Sequence, residues 1–124
     1  MAAPNIVNVT TIYGKTTYIT PANTTANVLL ANASGSGKVF KINQITVANV
    51  DGTNAVDCTV ALNTTADGGG TSYPLVSTVS VPADATLIVT DKSTALYLEE
   101  DKSIVVTSGT ASKLTYTISY EEIA

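Results

Sequence analysis

Few residues in this sequence carry the chemistry of catalysis, and their spacing does not bring them together. Histidine is absent, which removes the usual general base near neutral pH. Arginine is absent too, and with it the usual bidentate clamp for anions. A serine or cysteine nucleophile needs a basic partner. Only the six lysines could serve, and no motif sets one beside a nucleophile. Cys58 is the single cysteine, so no intrachain disulfide can form. It lies in the apolar row Val56, Cys58, Val60, Leu62, where a small buried hydrophobe is expected. The carboxylates that could pair for glycoside hydrolysis are Glu99, Glu100, Asp101, Glu121 and Glu122. They fall at strand ends or on the last strand, where solvated turns and edge-guarding charges account for them. The expectation is a chain without catalytic, cofactor-binding or metal-binding residues.

Three loop motifs test that expectation. Ser36-Gly37-Lys38 has the outline of a phosphate loop. However, Asn32 stands where the Walker pattern needs glycine, and Val39 where it needs Ser or Thr. Asp51-Gly52-Thr53-Asn54 with Asp57 is oxygen-rich like a calcium loop. It lacks the distal Glu and the flanking helices of an EF-hand, and Asp-Gly is a common hairpin turn. Asp67 and its following glycines read the same way. Asn8, Asn23, Asn32 and Asn63 each begin an Asn-x-Ser/Thr triplet, in a chain so rich in Ser, Thr and Asn that chance supplies such matches.

The elements that would position these residues are strands. Thr, Val, Ile and six Tyr dominate, types that suit a pleated, half-buried surface. Period-2 alternation recurs throughout. Leu114, Tyr116, Ile118 and Tyr120 share one face of the last strand, and Thr115, Thr117, Ser119 and Glu121 the other. Between Val56 and Asn63, the residues Asp57, Thr59, Ala61 and Asn63 form the polar side. Leu75, Ser77, Val79 and Val81 align on one face. Leu87-Ile88-Val89 and Ile104-Val105-Val106 are continuous runs, expected to be covered on both sides. Phe40 and Ile42 share a face, whereas Ile45, Val47 and Asn49 share the opposite one. That phase change at Asn43-Gln44 requires either a β-bulge or a strand buried on both faces. Turn-rich stretches recur every 8–15 residues or so, too close for crossover helices. The predicted fold is all-β: a two-sheet antiparallel sandwich, jelly-roll-like, of about eight to ten strands.

Length and charge narrow the function classes. A chain of 124 residues suits one domain with its own core, and a 44% apolar content argues against disorder. The net charge is −4 with no basic run, so no nucleic-acid partner is expected. Met1-Ala2-Ala3-Pro4-Asn5 has no signal-peptide character, and no stretch is long and apolar enough for a membrane span. The chain is expected in the host cytoplasm until assembly. Residues 1–25, broken by Gly14 and Pro21, read as a first strand or an extended N-terminal arm. Residues 26–124 then form the sandwich domain. Tyr13, Tyr18 and Tyr73 lie outside the clearest strands, and exposed tyrosine is enriched at interfaces.

Several stretches resemble small virion structural proteins of tailed phages, especially those of marine cyanobacteria. They include Ala2-Ala3-Pro4-Asn5-Ile6-Val7-Asn8, Lys38-Val39-Phe40-Lys41-Ile42-Asn43, Val81-Pro82-Ala83-Asp84-Ala85-Thr86-Leu87-Ile88-Val89, Leu96-Tyr97-Leu98-Glu99-Glu100-Asp101-Lys102-Ser103-Ile104 and Ile118-Ser119-Tyr120-Glu121-Glu122-Ile123. The resemblance implies a β-sandwich on the virion and supplies no site residues. With the acidic balance, it favours a non-enzymatic capsid decoration (cement) protein on the outer capsid surface. Its partners would be the major capsid protein or another virion protein, and copies of itself, expected as a homo-oligomer and as a trimer in number. The alternatives are a neck, tail or fibre protein, or a carbohydrate-binding adsorption module. A mean hydropathy of +0.25 fits a surface partly covered by partners.

Overall fold

The computed structural model describes residues 4–124, all in strands, turns and one short 3-10 segment. The nine strands are β1 (Ile12–Ile19), β2 (Asn27–Asn32), β3 (Val39–Asn49), β4 (Val56–Asn63), β5 (Ser72–Val81), β6 (Thr86–Thr90), β7 (Leu96–Leu98), β8 (Lys102–Ser108) and β9 (Leu114–Ile123). A single 3-10 turn, Lys92–Thr94, separates β6 from β7 and is capped by Asp91. No helix among the described residues is long and apolar enough to cross a membrane.

Two antiparallel sheets pack face to face. One has the order β1-β9-β3-β6, with β7 continuing beside β3 where β6 stops; the other has the order β2-β8-β4-β5. Most connections therefore cross from one sheet to the other, which is the winding of a jelly roll. The short loops carry these crossings without helices, as the turn spacing predicts. Asp51-Gly52 is one such crossing from β3 to β4, not a hairpin. Its Asp51 Oδ1 accepts from the amides of Thr53 (2.9 Å) and Asn54 (3.1 Å).

The core lies between the sheets. Ile42, Ile45, Val47, Leu114, Tyr116 and Ile118 of one sheet meet Leu30, Cys58, Val60, Val81, Ile104 and Val106 of the other. Burying one such side chain is worth roughly 1.5–3 kcal/mol. The β3 phase change is a bulge: pairing with β9 slips between Ile42 and Gln44, leaving Asn43 extra. That slip turns Ile45, Val47 and Asn49 to the same inward face as Phe40 and Ile42.

Three expectations about facing are corrected. In β5, Val81 is buried, and Leu75 and Val76 are both half-buried, but Ser77 and Val79 are exposed. Pairing with β4 slips between Cys58 and Val60, and Thr78 there takes a left-handed φ of 47°, so the alternation changes phase. In β6, Ile88 is exposed on the outer side of that sheet, not covered on both sides. In β4, Ala61 and Asn63 are buried, not on a solvated side. The β4–β5 loop folds over them. Gly68, at φ +79°, rests so close to Val28 and Val105 that a Cβ would sit 3.0 and 3.2 Å from their methyls.

Candidate assembly surface

The two outer faces of the sandwich differ. The β2-β8-β4-β5 face is partly roofed by the β4–β5 loop, which is tied down from below. Asn63 Oδ1 accepts from the amides of Thr65 and Gly70, Ser103 Oγ donates to the Thr65 carbonyl (2.8 Å), and Asp101 Oδ1 accepts from the Ala66 amide (3.2 Å). The other outer face carries no such roof. Strand register lines up Tyr18, Thr117, Thr46 and Ile88 in one row across β1, β9, β3 and β6. The neighbouring rows are Thr115, Ala48 and Thr86 on one side and Thr16, Ser119 and Gln44 on the other. These three rows hold no charged residue. Within them only short hydroxyl bonds occur, such as Thr16 Oγ1 to Ser119 Oγ at 3.0 Å. Tyr18 and Ile88 are 73% and 57% exposed at the two ends of the central row.

The strand edges differ as well. At β5, pairing slips twice, Pro74 sits in the strand, and Thr78 is left-handed. At β2, pairing with β8 slips between Val28 and Leu30. The β6 and β7 edge is divided by the 3-10 turn. By contrast, β1 pairs with β9 without a slip from Ile12 to Ile19. Its inward row is anchored by Lys15, whose Nζ meets Glu122 Oε2 at 2.5 Å, while Lys38 Nζ meets Oε1 of the same carboxylate at 2.6 Å. The Lys15 bond, then the Lys38 bond, holds the Glu122 carboxyl below its ordinary pKa. Ile19 packs against the core, and the Pro21 carbonyl accepts from the Ser112 amide (2.8 Å).

The sequence candidates for chemistry are scattered. Glu121 and Glu122 alternate on β9, Glu121 opposite Gly14 and Lys41, and Glu122 opposite Tyr13 and Phe40, so the two project to opposite faces. Asp101 is engaged with the β4–β5 loop. Glu99 borders a groove of about 350 Å³ with Leu62, Asn63, Thr64, Tyr73, Tyr97 and Lys102. Asp51 and Asp67 accept amide and hydroxyl hydrogen bonds from their own turns, which lowers both carboxyls. No cluster of three or more metal-ligating side chains occurs among the described residues. Cys58 is buried, and desolvation pushes its thiol up to about 11.

Sequence reasoning missed the role of three asparagines. Asn32, Asn49 and Asn63 are each the last residue of a strand (β2, β3 and β4), and each is buried. The Asn32 Nδ2 donates to the carbonyls of Lys38 and Leu98, and that of Asn49 to those of Asn54 and Val81. The Asn63 Nδ2 donates to the Gly70 carbonyl and Ser72 Oγ. These amides satisfy loop carbonyls that the strand ladders leave behind. The signal was an apolar strand closing on Asn just before a Ser-, Thr- or Asp-containing turn. Two of the four Asn-x-Ser/Thr sites, Asn32 and Asn63, are thereby enclosed.

No family model and no curated protein matches the chain. Chains of solved structures align with it over most of its length. A chain of the acidic stable capsid of Helicobacter pylori bacteriophage KHP30 aligns over 94% of this chain and 90% of that one, with 10% identity and a TM-score of 0.50. A chain of Bacillus endospore appendages, disulfide-linked pili, aligns over 91% and 87% with 20% identity and a TM-score of 0.46. A chain of the T13 IBDV viral particle aligns over 93% of this chain and 31% of that one, with 7% identity and a TM-score of 0.49.

Proposed function

We propose that this chain is a non-enzymatic structural protein of a phage particle, and specifically a decoration protein on the outer capsid surface. The observation that carries the virion reading is the shared fold: one jelly roll spans nearly the whole of this chain and of a phage capsid chain. The sequence resemblance to small virion proteins, of the cyanophage type, points the same way. The three charge-free rows of the outer face suit a repeated contact with a shell, since hydroxyls and methyls cost less to desolvate than charges do. The acidic balance favours the outer side of the shell over the DNA-facing one. In this reading the N-terminal region up to Asn23, whose β1 is the edge strand of one sheet, contributes the contact with the neighbour or the shell, and residues 26–124 supply the other eight strands of the sandwich. Residues 1–3 of that region lie outside the described ones.

The test is deletion of residues 2–23, followed by cosedimentation with capsids lacking the protein. A folded variant that no longer cosediments is the expected result. Capsid binding equal to that of the full chain would exclude the N-terminal region as the contact. Absence of the protein from averaged images of intact particles would remove the decoration role and leave a neck, tail or fibre position.

One observation favours a second reading, an adsorption module for carbohydrate. Tyr73 and Tyr97 are exposed beside Glu99, Lys102 and Asn63 in the groove of about 350 Å³. Aromatic faces with a carboxylate and an ammonium group suit a sugar. Glycan-array binding that is lost in Tyr97→Ala would support this reading over the shell contact.

A further inference from the structure

The open edge of β1 has a definite hydrogen-bonding phase. Thr11 and Ala124 exchange both backbone bonds, each 2.9 Å, and the register runs on from them unbroken through Ile12 opposite Ile123. The odd-numbered residues of β1 therefore turn their N–H and C=O groups towards β9. Ile12, Gly14, Thr16 and Tyr18 turn theirs away from it, where no partner lies among the described residues. Natural sheets blunt such edges with proline, bulges, short strands or outward charges. The other edges here carry such devices. This one has neither proline nor bulge, and its only charge, Lys15, is bonded to Glu122 on the inward face.

We propose that β1 pairs with β1 of a second copy, antiparallel across a two-fold axis centred on Thr16. A two-fold perpendicular to the sheet keeps both outer faces on one side, so only residues of equal parity pair. Two such registers keep the greatest length of β1 paired. One joins residues 12–18 about Lys15; the other joins residues 13–19 about Thr16. The first places Lys15 directly opposite its own copy at the closest pair spacing, which is unfavourable. The second opposes Lys15 to Thr17 and Tyr13 to Ile19, and puts Tyr18 opposite Gly14. Nothing lies within 4 Å of the position a Gly14 Cβ would take, so the tyrosine ring of the second copy has room over that glycine. An aromatic covering a strand glycine is a known stabilising pair. On the outer face Ile12 lies diagonally beside Tyr18 of the second copy, on the inner face Tyr13 meets Ile19, and the three charge-free rows continue across the axis. The pairing stands whether or not the partner shell is a capsid.

The test uses the full chain. Its sedimentation mass is expected at twice 12.7 kDa. Thr16→Pro removes an outward N–H at the axis and leaves the β9 ladder intact, a placement edge strands tolerate. It is expected to keep the far-ultraviolet circular dichroism and to sediment as a monomer. Thr16→Cys is expected to oxidise to a covalent dimer, since Cα atoms in a hydrogen-bonded pair lie about 5.5 Å apart. Ser77→Cys, on the β5 edge, is the control and is expected not to. Should Thr16→Pro fail to fold, the cysteine pair still decides. A wild-type chain that stays monomeric at micromolar concentration overturns the proposal. A Thr16→Cys protein that cross-links no faster than Ser77→Cys overturns it equally.

Discussion

Strands β1 and β9 lie side by side in one ladder, both alternate in sequence, and they do opposite work. The inward row of β9 is Leu114, Tyr116 and Ile118, all fully buried, with Tyr120 half-buried against Phe40 at 5.2 Å between ring centroids. Opposite Tyr116, Ile118, Tyr120 and Glu122 on that row, β1 offers Ile19, Thr17, Lys15 and Tyr13, of which only Ile19 packs on the core. Alternation thus marks a strand without saying what it buries. The side chains on its inward row decide that. A polar inward row leaves β1 held by backbone bonds, one carboxylate and one isoleucine, free to present its other edge and face to a partner.

The largest effect expected from this contrast is removal of β9. Deleting residues 113–124 takes away the strand between β1 and β3 and three fully buried side chains. We expect no cooperative unfolding transition in the product. A truncated chain melting at the temperature of the full chain would show that β9 is peripheral, and the contrast would collapse.

A sharper form uses one cross-strand pair. Ile118 of β9 lies directly opposite Thr17 of β1. Ile118→Ala is expected to cost about 2–5 kcal/mol in urea denaturation, as for other large buried aliphatic residues. Thr17→Ala, at the neighbouring position on the same face, is expected to change stability by no more than about 0.5 kcal/mol. Equal costs at the two positions would mean that β1 belongs to the core as fully as β9 does.

The same contrast explains what could be read from sequence. The inward row of β9 was legible because its apolar residues alternate with Thr and Ser without interruption. The β3 bulge was legible as a phase change at Asn43-Gln44, since apolar residues stand on both sides of it. The β5 bulge was not, because Ser77 and Val79 fit an unbroken alternation equally well. Ile88 looked like core because a run of three apolar residues does not reveal whether its outer side has a roof. That depends on where the distant β4–β5 loop lies. The lateral row Tyr18, Thr117, Thr46, Ile88 was hidden for a related reason: its members are far apart in sequence and meet only through the jelly-roll order. Tyr13 and Tyr18 did stand out as unplaced aromatics, and both are exposed.

The smallest effect concerns the anchor between the two strands. Glu122 is buried, while the Lys15 and Lys38 side chains that clamp it are 49% and 42% exposed, so solvent screens the pairs. Glu122→Gln is expected to cost about 1 kcal/mol or less at neutral pH. Its clearest readout is faster hydrogen exchange of the Tyr13 and Lys15 amides, which face β9. The lysine bonds lower the carboxyl below its ordinary value of 4.5. A group depressed in the folded state stabilises fully above its unfolded pKa, and that contribution is lost as pH falls through the folded value. The stability gap between the parent and Glu122→Gln should therefore be constant from neutral pH down to about 4.5 and narrow below it. A gap that persists unchanged to pH 3 would show that the carboxylate does not draw on the two lysines. The hold of β9 on β1 would then rest on the backbone ladder and Ile19 alone.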